Sequence, residues 1–356
     1  MEKIYLVLEN GEVFDGKSFG AKKEVVGEVV YNTSMVGYLD ILTDKTYYGQ
    51  FVMQTFPLIG NYGVINEEVG DKKCYPTAYI AREICDEPSN FRCDGKLNDF
   101  LTANGVVGIC DIDTRHLTKV LRDNGSMRAI ITTTPILNQE QWNKLRTFSI
   151  DNALANTADK TLFASASGKY NVAVVDYGCD KSVREMLIAK DCKVTTFAFD
   201  ATAEKILATK PNGIVLTSGA GDPNSCALQV EQIKKLLGAN LPILAIGLGH
   251  QLLALANSGR VDKMKNGHRG ANQPIRKIAD GSLFVTSQNH GYVVDKTVLP
   301  LGGAITFENV NDNSCEGLSY RDGKITSVQF EPTKNGGYTT TEFVFDNFVE
   351  NMEVTK

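Results

Sequence analysis

No stretch of this 356-residue sequence is apolar for long enough to cross a bilayer. The longest, residues 241–248, falls far short of the ~20 residues that a spanning helix needs. The apolar opening at residues 4–8 is cut by Glu9, which is too short for the core of a signal peptide. A cytoplasmic, membrane-free protein is therefore expected. There is also no surplus of positive charge. Lysine and arginine number 37 against 42 aspartates and glutamates, a net charge of −5, so the electrostatic footprint of a nucleic-acid binder is missing. Lys22-Lys23 and Lys72-Lys73 read as solvated surface. Eight cysteines are present (Cys74, Cys85, Cys93, Cys110, Cys179, Cys192, Cys226 and Cys315), and none forms a C-x-x-C pair. That removes the usual zinc and dithiol spacings. No metal is expected in the chain, and the thiols read as reduced. Internal repeats and low-complexity tracts are absent too.

What is there is an ordinary globular composition, 42% hydrophobic and 22% charged, in a chain longer than the ~250–300 residues at which single cores stop growing. Two domains are expected. Residues 1–135 are strand-rich. Residues 5–8 read as a strand, Asn10-Gly11 as a hairpin turn and Val13-Phe14 as the return; 25–31 is a second strand. A helix is expected over 113–124, capped by Asp113 or Thr114 and stopped by Gly125. Residues 136–170 read as a connecting segment, with a helical piece at 139–146 and a small, polar linker at 164–168. From residue 171 to 356, strands at 172–175, 193–199, 213–217 and 243–246 alternate with helices at 182–190, 203–209, 228–237 and 250–258. That alternation predicts an α/β domain, a mainly parallel sheet flanked by helices, with its site at the carboxyl ends of the strands.

Gly11-Glu12-Val13-Phe14-Asp15-Gly16-Lys17-Ser18 matches the phosphate-binding loop pattern letter for letter. The chemistry needs that loop to run from a strand into a helix N-terminus whose amides hold phosphate. Here Gly11 sits in a hairpin turn and no amphipathic helix follows, so the match reads as a decoy.

Ala245-Ile246-Gly247-Leu248-Gly249-His250-Gln251 is the most informative segment. An apolar strand enters a tight glycine turn and then a helix, the layout of a nucleophile elbow. Free amides at the helix start suit a thiolate or an oxyanion, yet Gly247 at the tip has no side chain. The segment resembles the G-I-C-L-G-H-Q elbow of class I glutamine amidotransferases, with glycine in the place of cysteine. Ser218-Gly219-Ala220-Gly221-Asp222-Pro223 resembles that family's oxyanion loop. Gln288-Asn289-His290-Gly291-Tyr292 resembles the Q-N-H-G-F segment of its carbamoyl-phosphate synthetase branch. In the first domain, Asn32-Thr33-Ser34-Met35-Val36-Gly37-Tyr38 and Asp111-Ile112-Asp113-Thr114-Arg115 are similar to that branch. The resemblance spans nearly the whole chain and implies a synthetase small subunit. Such subunits release ammonia from glutamine and pass it through a tunnel to a large subunit, which makes carbamoyl phosphate from bicarbonate, ammonia and ATP. ATP and divalent metal are then expected only in the large subunit, and no cofactor in this chain.

The resemblance also exposes a loss. Where the family writes Q-F-H-P-E, this chain has Gln329-Phe330-Glu331-Pro332-Thr333. Glu331 replaces the histidine that takes the thiol proton, and Thr333 replaces the glutamate that orients it. With Gly247, Glu331 and Thr333 at the triad positions, no nucleophile remains to form a glutamyl thioester, and a carboxylate opposite the elbow would disfavour a thiolate. Glutaminase activity is expected to be lost. Cys179 and Cys226 are weighed as substitute nucleophiles and read as small buried hydrophobes. His250 and His290 fall at family positions other than the triad base, and His116 and His268 have no evident partner. By resemblance, glutamine would be held by Ser34, Gly219, Gly221, Leu248, Gln251, Asn289, Gly291 and Tyr292, the last standing where the family has phenylalanine. Three readings stay open: a non-hydrolysing small subunit docked on a large synthetase subunit, an active glutaminase with an unrecognised nucleophile, and a free-standing glutamine-binding module.

Overall fold

The computed structural model describes residues 1–159, 162–178, 180–333 and 341–354. It divides into two compact units, Met1–Asp151 and Asn152–Lys356.

In the first unit, β1 (Lys3–Leu8) and β2 (Val13–Gly20) form an antiparallel hairpin with Val7 opposite Val13. Gly11 makes its turn at φ +93°, a region open to glycine. After them come β3 (Val25–Asn32), β4 (Gln50–Gln54), β5 (Leu58–Ile59), β6 (Ala78–Ile80), β7 (Glu83–Ile84), β8 (Val107–Cys110) and β9 (Met127–Thr132). The helices are α1 (Tyr38–Thr43), α2 (Asn66–Val69), α3 (Leu97–Ala103), α4 (Thr114–Asn124) and α5 (Gln139–Thr147). Strands β1-β2-β8-β6-β4-β3-β9 close into a barrel. Leu6, Leu8, Phe14, Val29, Phe51, Met53, Ile80 and Ile109 share one buried cluster of this unit. Asp113 caps α4 by accepting from the His116 amide at 3.0 Å, and Gly125 ends the helix at φ +92°.

The phosphate-loop letters lie on β2, not before a helix. Phe14, Gly16 and Ser18 are buried while Val13, Asp15 and Lys17 are exposed, the period of two that a strand imposes. A Cβ on Gly16 would lie 2.6 Å from the Cys110 carbonyl oxygen. Gly16 is there so that β2 and β8 can approach.

The second unit adds β10 (Tyr170–Asp176), β11 (Cys192–Ala198), β12 (Gly213–Leu216), β13 (Ile243–Ile246), β14 (Val261–Lys277), β15 (Leu283–Val294), β16 (Gly303–Asn309), β17 (Cys315–Tyr320) and β18 (Ile325–Val328). Its helices are α6 (Ala153–Thr157), α7 (Ser182–Ala189), α8 (Ala203–Ala208), α9 (Ala227–Leu237), α10 (Leu248–Ala256) and α11 (Phe343–Val354). One sheet runs β11-β10-β12-β13-β18-β17-β16-β14-β15. From β11 to β18 neighbouring strands are parallel, and from β18 to β15 antiparallel. The antiparallel half extends the sheet beyond the strands read from the sequence.

Alternation along the parallel strands sets the layers. Ala173, Ile214, Leu216, Ile243 and Ala245 pack with α8, α9 and α10 on one face. Val172, Val174, Val215, Leu244 and Ile246 pack with α7 and α11 on the other. Strands covered on both faces become continuous apolar runs.

Residues 136–170 are shared between the units. Leu145 of α5 joins a cluster with Val7 and Ile130 of the barrel, and Leu154 of α6 joins the second unit's core. Residues 164–168 lie along β11: Ala164 bridges Thr195, and the Ser165 amide donates to the Val194 carbonyl at 2.9 Å.

Candidate functional site

Chain order and sheet order part company between β10 and β12, which are neighbours in the sheet while β11 lies on the far side of β10. A crevice at the carboxyl ends of the strands is expected there, and the loops after β10, β12 and β13 converge on it. After β12, the Thr217 carbonyl accepts from the Gly249 amide at 3.0 Å, and the Thr217 hydroxyl accepts from the Tyr177 amide at 2.9 Å. Two glycines make that approach possible. A Cβ on Gly219 would stand 2.3 Å from the Tyr177 carbonyl oxygen, and one on Gly249 2.4 Å from that of Leu216.

Gly247 is the turn itself. Its φ of +56° and ψ of −112° break the chain from β13 into α10, the sharp strained corner of a nucleophile elbow. Its amide donates to the Val328 carbonyl at 2.9 Å, fixing the tip beside β18. A Cβ here would meet the Ser218 Cβ at 2.8 Å and Glu331 Oε1 at 3.5 Å. The carboxylate therefore stands across from the missing side chain, where the resemblance puts the catalytic imidazole. Glu331 is placed by a bridge to Ser287 on β15, its amide donating to the Ser287 carbonyl at 3.0 Å. The Thr333 hydroxyl is hydrogen-bonded to that of Ser182 at the start of α7, 2.9 Å away. Ser218, the first residue of the oxyanion-like segment, stands opposite the tip, a proximity that the motif itself did not reveal.

The residues assigned to glutamine by resemblance fall in two places. Ser34 is in the first unit, buried, with its amide donating to Asn32 Oδ1 and its carbonyl accepting from Gln54 Nε2. Gly219, Gly221, Leu248, Gln251, Asn289, Gly291 and Tyr292 are in the second. Gln251 ties the elbow helix to β15: its Nε2 donates to the Tyr292 carbonyl and to Gln329 Oε1, each at 2.9 Å. Both amide hydrogens are thus spent on the protein, leaving its oxygen for a ligand. Gly291 faces Arg269, whose Nη2 would lie 2.9 Å from a Cβ there.

Cys226 is buried, with Sγ 3.5 Å from the Asp222 carbonyl, and burial pushes its thiol pKa up. Cys179 lies outside the described residues. His250 is fully buried behind the elbow with Nδ1 2.8 Å from Ser327 Oγ, and burial lowers its pKa to about 3. His116 is exposed, 3.7 Å from Glu12. His268 corrects the sequence reading: it has two strong partners, Glu316 and Asp312, each 3.0 Å from one ring nitrogen. They lie 48 and 44 residues away, brought close by the antiparallel half of the sheet, which was not foreseen.

Comparison with known proteins agrees with this layout. Residues 6–131 match the carbamoyl-phosphate synthase small chain CPSase domain, and residues 173–351 match glutamine amidotransferase class-I. The carbamoyl phosphate synthase small chain of Clostridium perfringens is 42% identical over 348 residues, covering 98% of this chain and 99% of that one. That of Clostridium acetobutylicum is 40% identical over 351 residues (98% and 99%), and that of Listeria innocua 38% over 356 residues (99% and 98%). Among the described residues no helix is long and apolar enough to cross a membrane. Similarity of this extent in both units means that the chain belongs to the carbamoyl phosphate synthase small chain family.

Proposed function

We propose that this chain is a small subunit that no longer hydrolyses glutamine and instead supports an ammonia-using large synthetase subunit. One observation carries the reading. The elbow tip is a glycine, and Glu331 Oε1 lies 3.5 Å from where its Cβ would be. A covalent route has no atom to attack with, and the group opposite would repel a thiolate instead of favouring one. Loss of a triad nucleophile in other hydrolases costs on the order of 10⁶ in turnover. The strand, corner and helix of the elbow are nevertheless kept, which supports a retained docking and tunnel-mouth role. A subunit that binds the folded large chain stabilises it by mass action.

The test is carbamoyl phosphate synthesis by the two subunits together, fed either ammonium or glutamine. Ammonium should support synthesis and glutamine should not. Glutamine turnover matching that of an active small chain, or a covalent glutamyl adduct on this polypeptide, would end the proposal. Failure of the two chains to associate at micromolar concentration would favour the free-standing module.

A further inference from the structure

Away from the elbow, His268 on β14, His290 on β15 and Glu316 on β17 bring their ligand atoms within 4.8 Å of one another, all three side chains buried. Glu316 Oε1 is 3.0 Å from His268 Nδ1 and 3.9 Å from His290 Nε2. The outer nitrogen of each ring is engaged elsewhere. His268 Nε2 lies 3.0 Å from Asp312 Oδ2, and His290 Nδ1 lies 2.9 Å from the Tyr292 carbonyl. A ring whose far N–H goes to a carboxylate or a backbone carbonyl is oriented as metal-binding histidines are.

The hydrogen-bond pattern leaves a gap that a proton does not fill. Thr286 donates its hydroxyl to the Gln273 carbonyl at 2.9 Å, so it can only accept from Gln288 Nε2, 3.0 Å away. That fixes the Gln288 amide with Oε1 toward His290 Nε2, at 3.2 Å. His290 therefore has an oxygen beside each nitrogen, and a neutral ring has one proton to offer. Whichever tautomer forms, one bare nitrogen faces an oxygen. A second proton on this ring would place a positive charge on a buried side chain, which is costly without a paired counter-charge. Glu316 Oε2 is buried with no hydrogen-bond partner.

We propose that these residues form a divalent-cation site of the zinc class, with His268 Nδ1, His290 Nε2 and Glu316 as ligands and Gln288 Oε1 as the fourth donor. Two imidazoles and two oxygens suit tetrahedral zinc. The cation supplies the positive partner that His290 Nε2, Gln288 Oε1 and Glu316 Oε2 lack. It displaces the proton from His268 Nδ1, so affinity rises with pH. Its role is structural: it joins β14, β15 and β17 within the stretch of β15 that carries Asn289, Gly291 and Tyr292.

The full chain, stripped with chelator and desalted, is titrated with Zn²⁺ and separately with Co²⁺. The expected result is about one equivalent retained per chain, a chelator-reversible rise in unfolding temperature, and a tetrahedral Co²⁺ absorption spectrum without a thiolate charge-transfer band. Glu316→Gln should abolish retention. Should that variant fail to fold, the half-exposed Asp312 serves instead: Asp312→Asn should weaken binding about 10–100-fold through loss of ring orientation. A folded chain that retains no metal, a thiolate band placing the ion on cysteine, or Asp312→Asn binding as tightly as the parent would each overturn the site.

Discussion

Two segments of this protein carry the letters of well-known motifs, and they fail in opposite ways. Residues 11–18 keep every letter of a phosphate loop, but they form a hairpin turn and a barrel strand with Lys17 pointing to solvent. Residues 245–251 have glycine where the resemblance puts the nucleophile, but they keep the strand, the corner and the helix. The surrounding pattern decides the geometry. Alternating burial makes the first a strand, while an apolar run ending in glycines that let β12, β13 and α10 touch makes the second an elbow. Chemistry needs both, so neither segment alone identifies an activity.

The largest expected effect comes from supplying the missing letters to the intact elbow. Gly247→Cys alone should leave glutamine hydrolysis near background, because Glu331 faces the new side chain and cannot take its proton as an imidazole does. Adding Glu331→His and Thr333→Glu should raise turnover by about 10²–10⁴ over the single variant, the range a positioned general base contributes. Ammonia release by purified chain and large subunit measures it. Full activity from Gly247→Cys alone would show that Glu331 is not the obstacle described here.

Next are the glycines that hold the corners. Gly219→Ala puts a Cβ 2.3 Å from a backbone oxygen, and Gly247→Ala combines φ +56° with a 2.8 Å contact to Ser218. Each should destabilise the second unit by about 2–3 kcal/mol in urea unfolding. Gly16→Ala, 2.6 Å from the Cys110 carbonyl oxygen, should cost the barrel about as much. The glycine shared with the phosphate-loop pattern thus serves packing.

A smaller effect appears with pH. Buried His250 has a pKa of about 3 against an ordinary 6.5. Below pH 6.5 the unfolded chain takes up a proton that the fold refuses, so stability should fall by about 1.4 kcal/mol per pH unit toward acid from this group. His268 acts on the other limb in metal-free protein. Its pKa is raised to about 9, so its contribution is complete below 6.5 and fades as pH rises through 9. His250→Asn should make the acid limb shallower, with buried His290 still contributing to it, and leave the alkaline limb unchanged, as read from unfolding midpoints between pH 4 and 9.

Much of the fold was legible because its parallel strands are short apolar runs separated by amphipathic helices, and the Asp113 cap and Gly125 stop bracket α4 in plain sight. The antiparallel half was not. β14 contains Gly267, Gly270 and Pro274, slips register twice in its pairing with β15, and mixes buried with exposed polar residues. No clean period of two survives that. The partners of His268 were hidden too, since Asp312 and Glu316 reach it only through the pairing of β14 with β16 and of β16 with β17. At the elbow the sequence located Gly247 and Glu331, but their mutual distance and the position of Ser218 belong to tertiary structure.

The smallest expected effect tests the decoy. In a working phosphate loop the lysine reaches the nucleotide phosphates, and removing it destroys binding. Here Lys17 pairs on the surface with Asp111 at 3.0 Å, both side chains more than half exposed. Exposed pairs of this kind gain little in high dielectric and give back side-chain entropy. Lys17→Ala should therefore leave the unfolding midpoint where it was, and millimolar ATP with magnesium should stabilise neither form. The contrast with Gly16→Ala, one residue away in the same motif, separates the two uses of these letters. A strand is hurt by the buried change and tolerates the exposed one. A nucleotide-dependent rise in unfolding temperature that disappears with Lys17→Ala would make residues 11–18 a binding loop after all.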